Sequence, residues 1–215
     1  MKIKVDLIVF DLDGTLAATV PDIAAAANRA CRALGLPERS EAAIQQMIGG
    51  GEKNLIRRLI GPEQEDRLDE ALALYLDYYS RHPVDKTRLY PGVKQTLAAL
   101  AGRKLAVLSN KMERLTRKVV ELLEIASSFA AVKGGDSYGV LKPAPQGLAA
   151  LIQELGGSPE RTLMVGDKPA DIVTGRGAGT HTAAVTYGYG DPAALKAAAP
   201  QVMLDSLPAL TDCLG

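Results

Sequence analysis

The chain has 215 residues, 47% hydrophobic and 23% charged, enough for a buried core and one inserted lobe in a globular protein. Lys plus Arg and Asp plus Glu both total 25, so no net field favours nucleic acid or an anionic membrane, and neither is expected as a partner. No run approaches the ~20 apolar residues that span a bilayer, and the start of the chain meets an acidic motif without a signal-like apolar stretch, so a cytoplasmic protein is expected.

Residues 5–10 (Val-Asp-Leu-Ile-Val-Phe) open the chain's structure as a continuous apolar run, the mark of a strand buried on both faces of a parallel sheet. Residues 23–34, 41–47, 52–60 and 65–79 then read as helices with no strand between them. Gly35, Gly49-Gly50-Gly51 and Gly61-Pro62 punctuate them. Cys31 falls in the first of these helices and Cys213 near the end of the chain; without metal-ligand spacing, both read as small apolar fillers. After Pro91-Gly92 the alternation becomes regular. Helices are expected at 93–100, 112–123, 146–155 and 169–178, and strands at 105–108, 130–132, 162–165, 182–185 and 202–204. The fold class is therefore α/β: a doubly wound parallel sheet core with an inserted all-helical lobe. The core is assigned to residues 1–16 plus 86–215 and the lobe to residues 17–85.

Ligands of open parallel sheets bind beyond the carboxyl ends of the strands, and the polar residues of this chain collect there. Asp11-Leu12-Asp13-Gly14-Thr15 follows the first strand. Two nearby carboxylates suit one nucleophile or metal ligand and one proton carrier, although Asp-x-Asp alone also describes a solvated turn. Ser109-Asn110-Lys111 follows the second strand and offers hydrogen bonds to phosphate or, equally, a helix cap. Lys142, stiffened by Pro143 and Pro145, reads either as a surface lysine or as a fixed charge beside the carboxylates. Asp167 ends another strand and Asp171 lies one helical turn on, a carboxylate pair suited to Mg²⁺. Each loop has a plain structural reading by itself; the four together, each beside a strand, point to a site.

Taken together, Asp11-Leu12-Asp13-Gly14-Thr15, Leu108-Ser109-Asn110-Lys111, Lys142-Pro143 and Gly166-Asp167-x-x-x-Asp171 resemble the four motifs of the haloacid dehalogenase superfamily, in order along the whole chain. The resemblance implies Asp11 as nucleophile and Asp13 as general acid, then base. Ser109 and Lys142 would hold the phosphoryl group, with Asn110 beside them, and Lys142 would pair with Asp11. Mg²⁺ would bind Asp11, Asp167 and the backbone carbonyl of Asp13, with Asp171 in support. The second aspartate argues against a dehalogenase. The helical insertion resembles that superfamily's cap, and Val20-Pro21-Asp22-Ile23, Leu34-Gly35-Leu36-Pro37, Ile48-Gly49-Gly50-Gly51 and Tyr90-Pro91-Gly92-Val93 look like phosphoglycolate phosphatases.

The expected partner is thus a small phosphorylated metabolite. Pyrophosphate, a nucleotide or a sugar phosphate is the alternative substrate, and a non-catalytic phosphate-binding regulator is the alternative class. The sequence does not separate a monomer from a homodimer. Gly49, Gly50 and Gly51 precede a helix whose free N–H groups can hold an anion, with Lys53 and Arg57 expected to help; the same glycines also suit a plain interhelical turn. Two departures from the pattern stand out. Ala17-Ala18-Thr19 replaces a frequent Asp-Ser pair, so a polar hinge contact is expected to be missing. Lys168 replaces a small hydroxyl residue, and is expected either to face solvent or to alter charge around the metal.

Overall fold

A computed structural model describes residues 2–215. In chain order its strands and α-helices are β1 (Leu7–Phe10), β2 (Ala17–Ala18), α1 (Val20–Leu34), α2 (Glu41–Gln45), α3 (Gly51–Ile60), α4 (Leu68–Arg81), β3 (Arg88–Leu89), α5 (Val93–Ala99), β4 (Lys104–Leu108), α6 (Glu113–Leu122), β5 (Ala131–Lys133), α7 (Gln146–Glu154), β6 (Thr162–Gly166), α8 (Pro169–Gly177), β7 (His181–Val185), α9 (Pro192–Ala197), β8 (Val202–Leu204) and α10 (Leu210–Cys213). Six strands form a parallel sheet in the order β5-β4-β1-β6-β7-β8. β1 is central, with Phe10 in register with Val107 on one side and Val165 on the other. The chain therefore winds outward in both directions from β1, and Asp11, Ser109 and Asp167 leave neighbouring strand ends on the same edge.

The apolar runs explain this sheet. Leu7 and Val9 face one layer with Leu148, Leu151 and Ile152, while Ile8 and Phe10 face the other with Val93, Leu97, Val119 and Val120. Alternate residues of one strand thus feed two cores, which is why the run shows no polar alternation. β1 begins at Leu7 rather than Val5, because Asp6 turns outward to an exposed ion pair with Arg161.

Between β2 and β3 the chain makes a helical lobe with its own core. Ile23, Ala27, Ala30 and Leu34 of α1 belong to this core with Ile56, Leu59, Ala71, Tyr75 and Tyr79. Tyr75 and Tyr79, four residues apart on α4, stack at 5.5 Å. The expected helix over 65–79 begins instead as a 3₁₀ segment at Pro62–Arg67, which contributes no buried residue; the α-helix starts where Leu68 reaches the core. The entry and exit of the lobe are joined twice. β2 and β3 pair antiparallel, Ala17 with Leu89 and Ala18 with Arg88. Asp22, in the first turn of α1, accepts from the backbone N–H groups of Lys86 and Thr87 at 3.0 and 2.7 Å. Among the described residues, no helix is long and apolar enough to cross a membrane.

Candidate active site

Asp11 continues the β1 ladder, its N–H donating to Val165 at 2.9 Å, so its backbone is fixed before its side chain turns into the cleft. The following turn is possible only with glycine at position 14. Its φ is +87°, and a Cβ there would sit 2.3 Å from Asp167 Oδ2. The turn brings Asp13 back toward the cleft, where the Thr19 hydroxyl donates to it at 2.6 Å and the Lys111 ammonium pairs with it at 2.9 Å.

Lys142 is the hub of the site. Its buried ammonium donates to the Leu108 carbonyl at 2.7 Å and pairs with Asp11 at 3.0 Å and Asp171 at 2.7 Å. Burial alone would lower the pKa of Lys142, but Asp11 and Asp171 outweigh it and raise the pKa, so the lysine stays charged. Asp167 accepts from the Thr15 hydroxyl at 3.1 Å and the Tyr189 N–H at 2.7 Å. Ser109 is buried at the end of β4 and lines the same cleft as Asp11, Asp13, Lys142 and Asp171.

Carboxylate oxygens of Asp11, Asp167 and Asp171 lie within 4.8 Å of one another. Three buried carboxylates with hard oxygen donors and one lysine among them leave excess negative charge, which fits Mg²⁺. The strain shows in the acidities of Asp11 and Asp167. Burial pushes the Asp11 carboxyl up to about 6, against the pull of Lys142. Burial, then the charges of Asp11 and Asp171, push Asp167 up to about 7. Both folded values exceed the ordinary 3.8, so the metal-free folded protein binds more protons than the unfolded chain across this window. Its stability is therefore expected to fall as pH rises toward 7. Mg²⁺ needs the ionised carboxylates and should raise the melting temperature more at pH 8 than at pH 5. Thermal melts in chelator and in Mg²⁺ at both pH values check this; an equal or larger gain at pH 5 would contradict it.

Several expected residues stand elsewhere. Lys53 and Arg57 do not line the cleft: Lys53 lies 3.8 Å from Asp69 in an exposed pair, and Arg57 pairs with Glu65 at 2.9 Å. They are one turn apart on α3 and share a face, whereas the buried stripe carries Glu52, Leu55, Ile56 and Leu59. Asn110 was expected on phosphate, but its side chain is occupied. It donates to Gly49 and Lys142 carbonyls at 2.7 and 2.9 Å and accepts from the Lys142 N–H at 2.8 Å. It fixes the lysine loop. Gly49 and Gly51 line the cleft, while Gly50 does not; its carbonyl accepts from the Asn54 side chain at 2.8 Å. The hinge is not stripped of polar contacts as expected: the Thr19 N–H donates to the Tyr189 hydroxyl at 2.6 Å. Lys168 donates to the Ile48 carbonyl in the lobe, and its charge also works against the rise in the Asp167 pKa, so of the two expected settings it takes the one that alters charge around the carboxylates.

Lys111, Glu52 and Tyr189 escaped the sequence reading. Lys111 is buried against Asp13, with its ammonium 5.0 Å from the centre of the Tyr79 ring. Burial opposes its charge, and Asp13 and the nearby tyrosines and Glu52 more than restore it. Glu52 accepts from the Met112 N–H at 3.1 Å across the lobe–core boundary. Tyr189 sits between Gly188 and Gly190, where any Cβ would fall within 2.3 Å of Asp167 atoms. That glycine pattern after β7 was the available signal.

The chain matches the haloacid dehalogenase-like hydrolase family over residues 8–185. It is similar to a phosphoglycolate phosphatase of Aquifex aeolicus, 38% identical over 85% of each chain. A phosphoglycolate phosphatase of Vibrio vulnificus is 39% identical over 97% of this chain and 96% of its own. Among solved structures, a predicted phosphoglycolate phosphatase from Haemophilus somnus superposes with a TM-score of 0.90 at 30% identity, covering 97% of both chains. With the family matched over residues 8–185, which include the four loops and the lobe, this chain belongs to the haloacid dehalogenase-like hydrolases.

Proposed function

We propose that the protein is a Mg²⁺-dependent phosphatase that hydrolyses a small phosphate monoester, 2-phosphoglycolate, through a phosphorylated Asp11. The observation that carries this reading is the meeting of the Asp11, Asp167 and Asp171 carboxylates within 4.8 Å, two of them paired with the Lys142 ammonium, with Asp13 two residues on from Asp11. An anionic carboxylate approaches an anionic phosphate only where positive charge offsets the repulsion. Asp11, Asp167 and the Asp13 carbonyl, with Asp171 beside them, would hold Mg²⁺, which would supply part of that charge, with Lys142 supplying the rest.

In the first step an Asp11 oxygen bonds to phosphorus, the bond to the ester oxygen breaks, and Asp13 gives that oxygen a proton. In the second step Asp13 takes a proton from water as the water oxygen bonds to phosphorus. The bond to Asp11 breaks, freeing phosphate and the carboxylate. In this reading the hydroxyl of Ser109, a buried residue that lines the cleft, donates to a phosphoryl oxygen. We assign the lobe, residues 17–85, as the cap that closes over the leaving group, and residues 1–16 plus 86–215 as the catalytic core. The lobe's hydrophobic cluster, which Leu115 of α6 joins from the core side, and the β2–β3 junction support this division. The names of the relatives support phosphoglycolate as substrate.

The test is kcat/KM across 2-phosphoglycolate, pyrophosphate, a nucleoside monophosphate and a hexose phosphate, with and without chelator. The highest value is expected for phosphoglycolate, lost in EDTA and restored by Mg²⁺, with excess Ca²⁺ inhibitory. A higher value for another substrate would replace phosphoglycolate, and full turnover in EDTA would remove the metal from the mechanism.

A further inference from the structure

Three lysines line the cleft, and they are not equivalent. Lys111 is paired with Asp13, and Lys142 with Asp11 and Asp171. Lys168 has a neutral partner, the Ile48 carbonyl, which takes one of its three N–H groups. A cation facing a small cleft beside a glycine loop, with donors to spare, suits an anionic group on the ligand.

The aim of Lys168 is built in. Its backbone is extended, with φ −121° and ψ 153°, and its N–H donates to Asp171 Oδ2 at 3.0 Å. Pro169 fixes the next residue. The side chain then passes over Gly49, where a Cβ would stand 3.2 Å from Lys168 Cδ and 3.0 Å from its Nζ. Gly49 also has a φ of +130°, which a side chain would strain. The lobe therefore provides a groove for the lysine stem, and the ammonium emerges at the cleft wall shared by Ile48, Gly49 and Ala170. Lys53 and Arg57, which the sequence offered for this task, face away on α3.

We infer that Lys168 is a specificity-determining residue: its ammonium binds a carboxylate on the leaving group, so the core itself reads the part of the substrate that the lobe covers. The inference rests on the proposed phosphatase reading, and deepens it by naming the residue that reads the carboxylate of the substrate.

Binding separates this from turnover. The probes are 3-phosphonopropionate, a non-hydrolysable analogue of phosphoglycolate, and propylphosphonate, which lacks the carboxylate. Calorimetry with the Mg²⁺-loaded protein is expected to give a Kd at least about tenfold lower for the first, the scale of one charge-assisted hydrogen bond. Lys168→Met keeps the stem and should bring the two Kd values within about twofold. Lys168→Arg should retain part of the ratio, and Lys168→Gln serves as a second neutral variant should the Met variant fold poorly. In turnover, the neutral variants should raise KM for phosphoglycolate far more than for ethyl phosphate. A wild-type ratio near one, a ratio that survives in both neutral variants, or equal weakening of both probes with the ratio intact would overturn the inference. A normal binding ratio in an enzyme that hydrolyses ethyl phosphate as well as phosphoglycolate would overturn the proposed substrate while supporting the lysine's role.

Discussion

Asp11→Asn is expected to lower kcat by on the order of 10⁴-fold or more and to leave no phosphate on the protein after a denaturing quench. The amide is nearly the size of the carboxylate but is a poor nucleophile. Loss of fold should not account for the result. Asp11 is a buried carboxylate whose pKa is raised by burial despite Lys142, with Asp171 and Asp13 adding to the rise. Its ionised form is therefore costly above about pH 6, and a neutral replacement removes that cost. Lys142 keeps its contacts to Asp171 and the Leu108 carbonyl. The variant's melting temperature in chelator at pH 8 should equal or exceed that of the wild type. A variant that melts normally and still turns over at wild-type rate would remove Asp11 from the chemistry.

Asp13→Asn should act differently, slowing kcat by about 10²- to 10⁴-fold, the usual reach of a single general acid or base. Both steps need the proton that Asp13 carries, but they depend on it unequally. An aryl phosphate has a good leaving group and needs little protonation, so the first step should recover while hydrolysis stays slow. Labelled phosphate should then accumulate on Asp13→Asn and never on Asp11→Asn. Equal labelling of both would reverse the two roles. This variant does carry a structural cost, because the buried Lys111 loses the carboxylate 2.9 Å away and removing one member of a buried pair costs about 3–5 kcal/mol. Glu52 remains nearby to share that charge, and a melt of the variant shows how much of the loss is folding.

How much of this was visible in the sequence depends on the range of the contact. The sheet was legible because β1, β4, β6 and β7 are buried on both faces, which leaves unbroken apolar runs. Three of the four candidate loops were legible because Asp11, Ser109 and Asp167 directly follow such runs, and the fourth because prolines flank Lys142. β2 and β3 were not, since two-residue strands carry no period to detect. The facing of Lys53 and Arg57 could have been found from the 3.6-residue period of α3, whose apolar residues lie at 55, 56, 59 and 60. Asn110 and Lys168 could not. Their partners, Gly49 and Ile48, lie 61 and 120 residues away in sequence, across a boundary that only the folded chain defines. The same distance hid Thr19 and Tyr189, which restore at the hinge the polar contact that Ala17-Ala18 had suggested was absent.

The setting of Asp167 has a consequence for which ions the protein tolerates. Its two oxygens are engaged separately, by the Thr15 hydroxyl and the Tyr189 N–H. Glycines at 14, 188 and 190 press in so closely that no Cβ fits between them and this residue. Such a carboxylate has little freedom to swivel. Ions that accept irregular shells of six to eight oxygens draw on that freedom, turning a carboxylate to present both oxygens at once, whereas Mg²⁺ demands near-octahedral placement and asks each ligand for one oxygen. For the proposed Mg²⁺ site, selectivity is therefore expected to come from stiffness: the packing would not choose the smaller ion by strength of attraction, but would deny the larger one the rearrangement it needs to be held well.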